Sequence, residues 1–126
     1  MENKTRKMVT IRKVNAINSM EGYDNIVLAT VDGWNVIIKK EELKLNEPCL
    51  FFEIDSFIPE EDSRFSFLGK TVEFNKKRGY RLRTKKLKSY ISQGLALPLS
   101  MFPELTVDVQ EDLSETLGVI KYDLEQ

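Results

Sequence analysis

At 126 residues the chain is long enough for one hydrophobic core and fits a single domain over residues 1–126. Its 41% hydrophobic and 31% charged residues are an ordinary globular mixture, and no apolar run nears the roughly 20 residues of a membrane span. With no histidine and one cysteine, Cys49, it can build no Ser-His-Asp or Cys-His pair, no His/Cys zinc site and no internal disulfide.

The N-terminus, Met1-Glu2-Asn3-Lys4, is charged and lacks the apolar stretch of a secretory signal. A lone cysteine fits a reducing compartment, so the expectation is an intracellular protein of the cytoplasm or nucleus, not a secreted one. Residues 8–14 are β-rich and predict a first strand running toward Ile17. The stretch Glu21-Gly22-Tyr23-Asp24-Asn25 supplies turn chemistry. Residues 26–31 and 34–38 are two further β-rich runs split by Asp32-Gly33. That spacing predicts a two-residue hairpin, because a type I′ turn needs positive φ at both central positions. Residues 39–45 form a charged connector with room for one helical turn. Asn46-Glu47-Pro48 then opens a continuous apolar strand over residues 49–54.

Residues 55–68 are the least regular, with Pro59 and several acids ahead of Arg64-Phe65-Ser66-Phe67. Over residues 78–87 the pattern alternates, with Tyr80, Leu82 and Thr84 on one side and Arg81, Arg83 and Lys85 on the other. A period of two predicts one half-buried strand with a basic outer face. Gln93-Gly94 turns the chain into Leu95-Ala96-Leu97, which Pro98 closes. Asp112 and Glu115 have capping-box spacing and Gly118 stands at a C′ position, so a short helix is expected between them. These elements predict a mostly β fold, a small OB-like β-barrel with short helical segments near the C-terminus, with another β-barrel as the alternative.

The net charge of −1 hides a strong asymmetry. Residues 76–88 include Lys76, Lys77, Arg78, Arg81, Arg83, Lys85, Lys86 and Lys88 without a single acid, whereas the charged residues of 104–125 are mostly acidic. Solvated faces usually mix both signs. A one-signed array can follow a phosphate backbone, with arginine offering bidentate contacts. Docking onto an acidic protein surface is the competing use. Phe65 and Phe67, two apart beside Arg64, can stack on bases if the segment is extended, or fill the core beneath a loop. Trp34, Phe51, Phe52 and Tyr80 read as core or barrel wall. Glu53 and Asp55 read as caps or as partners of the basic strand.

Six stretches occur in an order shared with one family. They are Thr10-Ile11-Arg12-Lys13-Val14, Leu28-Ala29-Thr30-Val31-Asp32-Gly33-Trp34 and Phe52-Glu53-Ile54-Asp55-Ser56-Phe57-Ile58-Pro59. Arg78-Gly79-Tyr80-Arg81-Leu82-Arg83-Thr84, Ile91-Ser92-Gln93-Gly94-Leu95 and Leu117-Gly118-Val119-Ile120-Lys121-Tyr122 complete the set. Over residues 6–123 the chain resembles the N-terminal OB domain of the nick-sealing, ATP-dependent RNA ligases typified by the Deinococcus and Naegleria enzymes. The family follows this domain with a nucleotidyltransferase domain whose Lys-x-Asp-Gly motif carries the nucleophile. Here Asp32-Gly33 has Thr30 where that lysine would stand, so no catalytic residue is expected in this chain.

The resemblance implies a nucleic-acid-binding monomer that engages nicked duplex RNA or RNA/DNA and helps present the 3′-OH end for sealing. It implies a nucleotidyltransferase domain in cis, which would hold ATP and Mg or Mn, and no cofactor in this domain. Phe65 and Phe67 would then meet the nucleotides at the break while the basic strand holds phosphates. A tRNA-binding OB module and a protein-interaction domain are the alternatives.

Overall fold

The computed structural model describes residues 8–103 and 113–122. The long strand β1 (Val9–Ser19) organises it, pairing with β4 (Pro48–Phe52) along its first half and with β2 (Ile26–Val31) along its second. The change of partner coincides with a register shift between Val14 and Ala16. A β-bulge there bends the strand, which lets one strand serve two parts of a curved sheet. Strand β3 (Trp34–Lys39) and strand β10 (Leu95–Pro98) complete a five-stranded sheet in the order β10-β4-β1-β2-β3. Its two ends touch, so the sheet curls toward closure as an OB-like barrel does.

The predicted hairpin is present. Val31 pairs with Trp34 across Asp32 (φ 49°) and Gly33 (φ 89°), both left-handed as the type I′ turn requires. Val27, Ala29 and Val31 alternate inward, facing Val36 and Ile38. The apolar run at β4 also has its reason. Cys49 and Phe51 belong to this barrel core, while Leu50 and Phe52 belong to a second core on the other side. A strand buried on both faces has no polar face to alternate with.

The second core lies under the excursion between β4 and β10. There β5 (Ser56–Pro59), β7 (Lys77–Arg81) and β6 (Val72–Phe74) form an antiparallel sheet, with β11 (Ile120–Lys121) on the outer edge of β5. Gly79 is required by this packing. A Cβ at that position would stand 2.5 Å from the Ile58 carbonyl and 2.8 Å from the Phe57 ring. The predicted helix near the C-terminus is α1 (Ser114–Leu117), and Gly118 (φ 71°) is its C′ residue. Val119 N–H donates to Ser114 O at 2.8 Å, the long hydrogen bond of a Schellman stop. Asp112 of the proposed capping box lies outside the described residues. Ser114 Oγ instead accepts from Met8 N–H and Val9 N–H at 2.9 and 3.0 Å, tying this helix to the start of β1.

The single basic strand over residues 78–87 is corrected. Tyr80 and Leu82 are buried as the alternation required, but Thr84 is exposed. Leu82 keeps backbone bonds to Ser56 and Asp55, and the chain then leaves the sheet at residues 83–84. Residues beyond that point form a separate hairpin of β8 (Lys85–Leu87) and β9 (Tyr90–Ser92). The residue alternation is local, whereas β5 begins at Ser56 and the backbone pairing ends with the Asp55–Leu82 hydrogen bond.

Candidate nucleic-acid interface

The fold divides the basic run into three groups, with Lys88 apart from them in the β8–β9 turn. Lys76, Lys77 and Arg78 stand at the β6–β7 turn, where Asn75 (φ 53°) and Lys76 (φ 64°) are both left-handed. All three are exposed, and the Arg78 guanidinium is held by Thr71 through Oγ1 at 2.9 Å and the carbonyl at 3.1 Å. These three border a cavity of about 480 Å³ that also includes Glu60 and Glu61, so both signs of charge meet there.

Arg81 has a structural partner. Its guanidinium donates to Asp55 Oδ1 from Nε (3.2 Å) and from Nη2 (3.0 Å), and lies 4.2 Å over the Tyr122 ring. Asp55 thus pairs with the basic segment as its position suggested. Arg81 joins β7 to the C-terminal segment, and the Asp55 carboxylate offsets its charge.

Arg83, Lys85 and Lys86 form the third group. All are exposed, and no described carboxylate pairs with them. Arg83 and Lys85 border a trough of about 310 Å³ together with Leu68, Lys70, Val72, Tyr80, Arg81 and Leu82, none of them acidic. Lys70 adds a cation that the sequence reading missed, since nothing in its neighbourhood of the chain marks it. Lys88 (φ 56°) is at the tip of the β8–β9 hairpin, its ammonium 5.3 Å from the Tyr23 ring centre.

Phe65 and Phe67 separate. The segment is a 3₁₀ helix, Ser63–Leu68, and not an extended strand. At about three residues per turn, positions i and i+2 point to different sides. Phe65 is 1% exposed and packs edge-on against Phe52 at 5.3 Å, so its expected contact with nucleotides is corrected to a core role. Phe67 is 56% exposed. Asp62 caps the helix by accepting from Arg64 N–H at 3.1 Å, and its carboxylate grips the Arg64 guanidinium at 2.8 and 2.9 Å. These hydrogen bonds hold the Asp62 carboxyl below its ordinary range. Arg64 is further held by Met101 O at 3.1 Å and lies 4.1 Å over the Phe102 ring, so it anchors the turn that presents Phe67.

The site offers positive charge and apolar surface. Burial pushes the Cys49 thiol up to about 12, with the Glu47 and Asp32 charges adding to the effect. At neutral pH it is a protonated, apolar core group. Among the described residues no cluster of three His, Cys, Asp or Glu side chains can hold a metal ion, and no helix is long and apolar enough to cross a membrane. The Asp32-Gly33 pair serves the hairpin turn.

A family model described as an OB-fold domain matches residues 8–99. Among solved structures, a mutant of the Naegleria gruberi RNA ligase with AMP and Mn superposes with a TM-score of 0.89 at 42% identity. An apo mutant of that ligase gives 0.90 at 40% identity, and the ligase with PPi gives 0.88 at 42%. The superposition with the AMP-bound mutant covers 94% of this chain and 36% of the ligase chain. The chain therefore spans about a third of the length of the ligases it matches. No curated protein matches the sequence.

Proposed function

The chain belongs to the OB-fold domain family, and we propose that it is the nucleic-acid-gripping domain of an RNA ligase that seals 3′-OH/5′-phosphate breaks. The observation that carries this reading is the trough with Arg83, Lys85 and Lys70 on its border and no acid among its described lining residues, set in a fold related to an RNA ligase. Guanidinium and ammonium groups that no described carboxylate pairs are ready to exchange condensed counterions for phosphate oxygens. The exposed ring of Phe67 adds a surface for stacking at an interrupted strand, where a terminal base pair leaves a face open. In this reading a nucleotidyltransferase domain in cis holds ATP and Mn or Mg and performs the chemistry. The OB domain positions the nicked duplex, RNA or RNA/DNA, so that its 3′-OH meets the activated 5′-phosphate.

The test is fluorescence anisotropy of the chain with labelled nicked duplex, intact duplex and folded tRNA over a salt series. If about four phosphates are neutralised, the log–log slope on duplex is roughly −3 to −4. Tighter binding to nicked than to intact duplex supports the ligase reading. Preference for tRNA would move the domain to the tRNA-binding class. Absence of any salt-dependent binding would leave the basic face to a protein partner and defeat the proposal.

A further inference from the structure

Beside the trough lies a second opening, a groove of about 490 Å³ between the β8–β9 hairpin and the barrel. Its aliphatic lining comes from Ile26 on β2, Ile37 on β3, Leu87 on β8, Leu95 on β10, and from Leu68 and Leu82. Leu87 is exposed, and Ile26, Ile37, Leu68 and Leu95 are half-buried, so apolar surface faces water around one opening. A single exposed leucine is ordinary on a protein surface. Apolar surface gathered in a concave site and rimmed by charge is the pattern of a docking place.

The rim has one sign of charge. Arg83, Lys85 and Lys86 border the groove, no acid is among its described lining residues, and no described carboxylate pairs with the three cations. The described lining also holds no aromatic ring, the usual platform for a flat base. Branched aliphatic walls suit aliphatic side chains instead. The backbone edge of β3 is occupied here, since Ile37 N–H donates to Ser92 Oγ at 2.9 Å and Asn35 O accepts from Gln93 N–H at 2.7 Å. A partner therefore does not add at these residues as another strand. It enters side chain first, as the apolar face of an amphipathic helix does. The hairpin wall is also held near its tip, where Tyr90 Oη accepts from Glu21 N–H at 2.8 Å. A preformed groove lowers the ordering cost of binding.

We propose that this groove docks an acidic amphipathic helix of a partner protein, its aliphatic side chains on the groove floor and its carboxylates facing Arg83, Lys85 and Lys86. The charges steer the approach and fix the orientation, while burial of aliphatic surface supplies the affinity. Arg83 and Lys85 border both the groove and the trough. A docked helix covers cations that a phosphate backbone would use, so partner and nucleic acid exclude one another.

The probe is a labelled helical peptide of about 18 residues, with leucine along one face and glutamate and alanine elsewhere. Its controls are a scrambled peptide of the same composition and a version with glutamine in place of glutamate. By fluorescence anisotropy the ordered acidic peptide is expected to bind about tenfold more tightly than either control, the effect of burying roughly one more leucine side chain. Leu87→Asn, at an exposed position, removes aliphatic lining without adding charge, and Ile37→Thr does so while keeping the β-branch that suits a strand. Each should weaken the ordered peptide about tenfold, with melts confirming that both variants fold. Saturating peptide should release a labelled nicked duplex. Equal binding of ordered and scrambled peptides, full-strength binding to both variants, or a duplex that stays bound under saturating peptide would overturn the docking site. Variants that lose affinity for single-stranded RNA and keep it for the peptide would give the groove to nucleic acid and equally overturn it. Peptide binding is read without RNA, so this proposal and the nucleic-acid reading can fail separately.

Discussion

Truncating Phe65 and Phe67 separately to alanine is expected to produce losses of two different kinds, although the residues are two apart. Phe65 is 1% exposed, and its ring meets Phe52 at 5.3 Å and Phe102 at 5.9 Å. Removing it forfeits apolar burial and two aromatic contacts and leaves a cavity, at a cost of about 3–5 kcal/mol. For a domain with a total stability of about 5–15 kcal/mol this is a large share, and it corresponds to a melting temperature lower by roughly 10–25 °C. Phe67 is 56% exposed, so Phe67→Ala should change stability by no more than about 0.5 kcal/mol. If Phe67 stacks on a base, its loss costs about 1–3 kcal/mol of binding, or roughly 5- to 150-fold in Kd for nicked duplex. Thermal melts beside anisotropy titrations, at a temperature where every variant is folded, read both effects. A Phe67→Ala protein that melts far below wild type, or that binds nicked duplex as wild type does, would refute this reasoning.

Arg81 and Arg83 should part in the same manner. Arg81→Ala loses the Asp55 pair and the Tyr122 ring contact, both partly exposed, and should cost about 1–2 kcal/mol of stability with little change in salt slope. Arg83→Ala should leave the melt unchanged and reduce the magnitude of the log–log salt slope by about one unit. Asp62 gives a pH dependence. Its folded value lies below the ordinary 3.8, so its contribution is complete above that pH and is lost as pH falls through the lowered value. Asp62→Asn should lower the melting temperature at neutral pH and flatten its fall between neutrality and strong acid, whereas an unchanged acid profile would count against the Arg64 clasp. Lys76 holds a left-handed φ of 64°, a conformation that costs a side chain about 1 kcal/mol. Lys76→Gly should therefore keep or raise stability, and denaturant midpoints that fall by more than the noise would show that the turn is not strained.

Several features were legible because their causes lie close together along the chain. Asp32-Gly33 names its own turn, since the backbone angles of a two-residue hairpin select those residues. Gly118 ends α1 for the same local reason. The apolar run at β4 fits a strand buried on both faces, and the β-rich composition of residues 26–31 fits β2. The accumulation of bases without acids over residues 76–88 also reads directly from the chain.

What those bases do was decided elsewhere. Arg81 and Arg83 have the same local pattern, but Asp55, 26 residues before Arg81, captures one and leaves the other exposed. The even spacing of Phe65 and Phe67 suits a strand, yet the Asp62–Arg64 clasp and the Phe52–Phe102 pocket set the segment as a 3₁₀ helix. The groove of about 490 Å³ beside the trough is lined by Ile26 on β2, Ile37 on β3, Leu95 on β10, Leu82 and the β8–β9 hairpin, so no stretch of sequence contains it. Residue order sets backbone preference and periodicity, which act over a few positions. Which cation is paired and which ring is covered depend on contacts made only when distant segments close on one another.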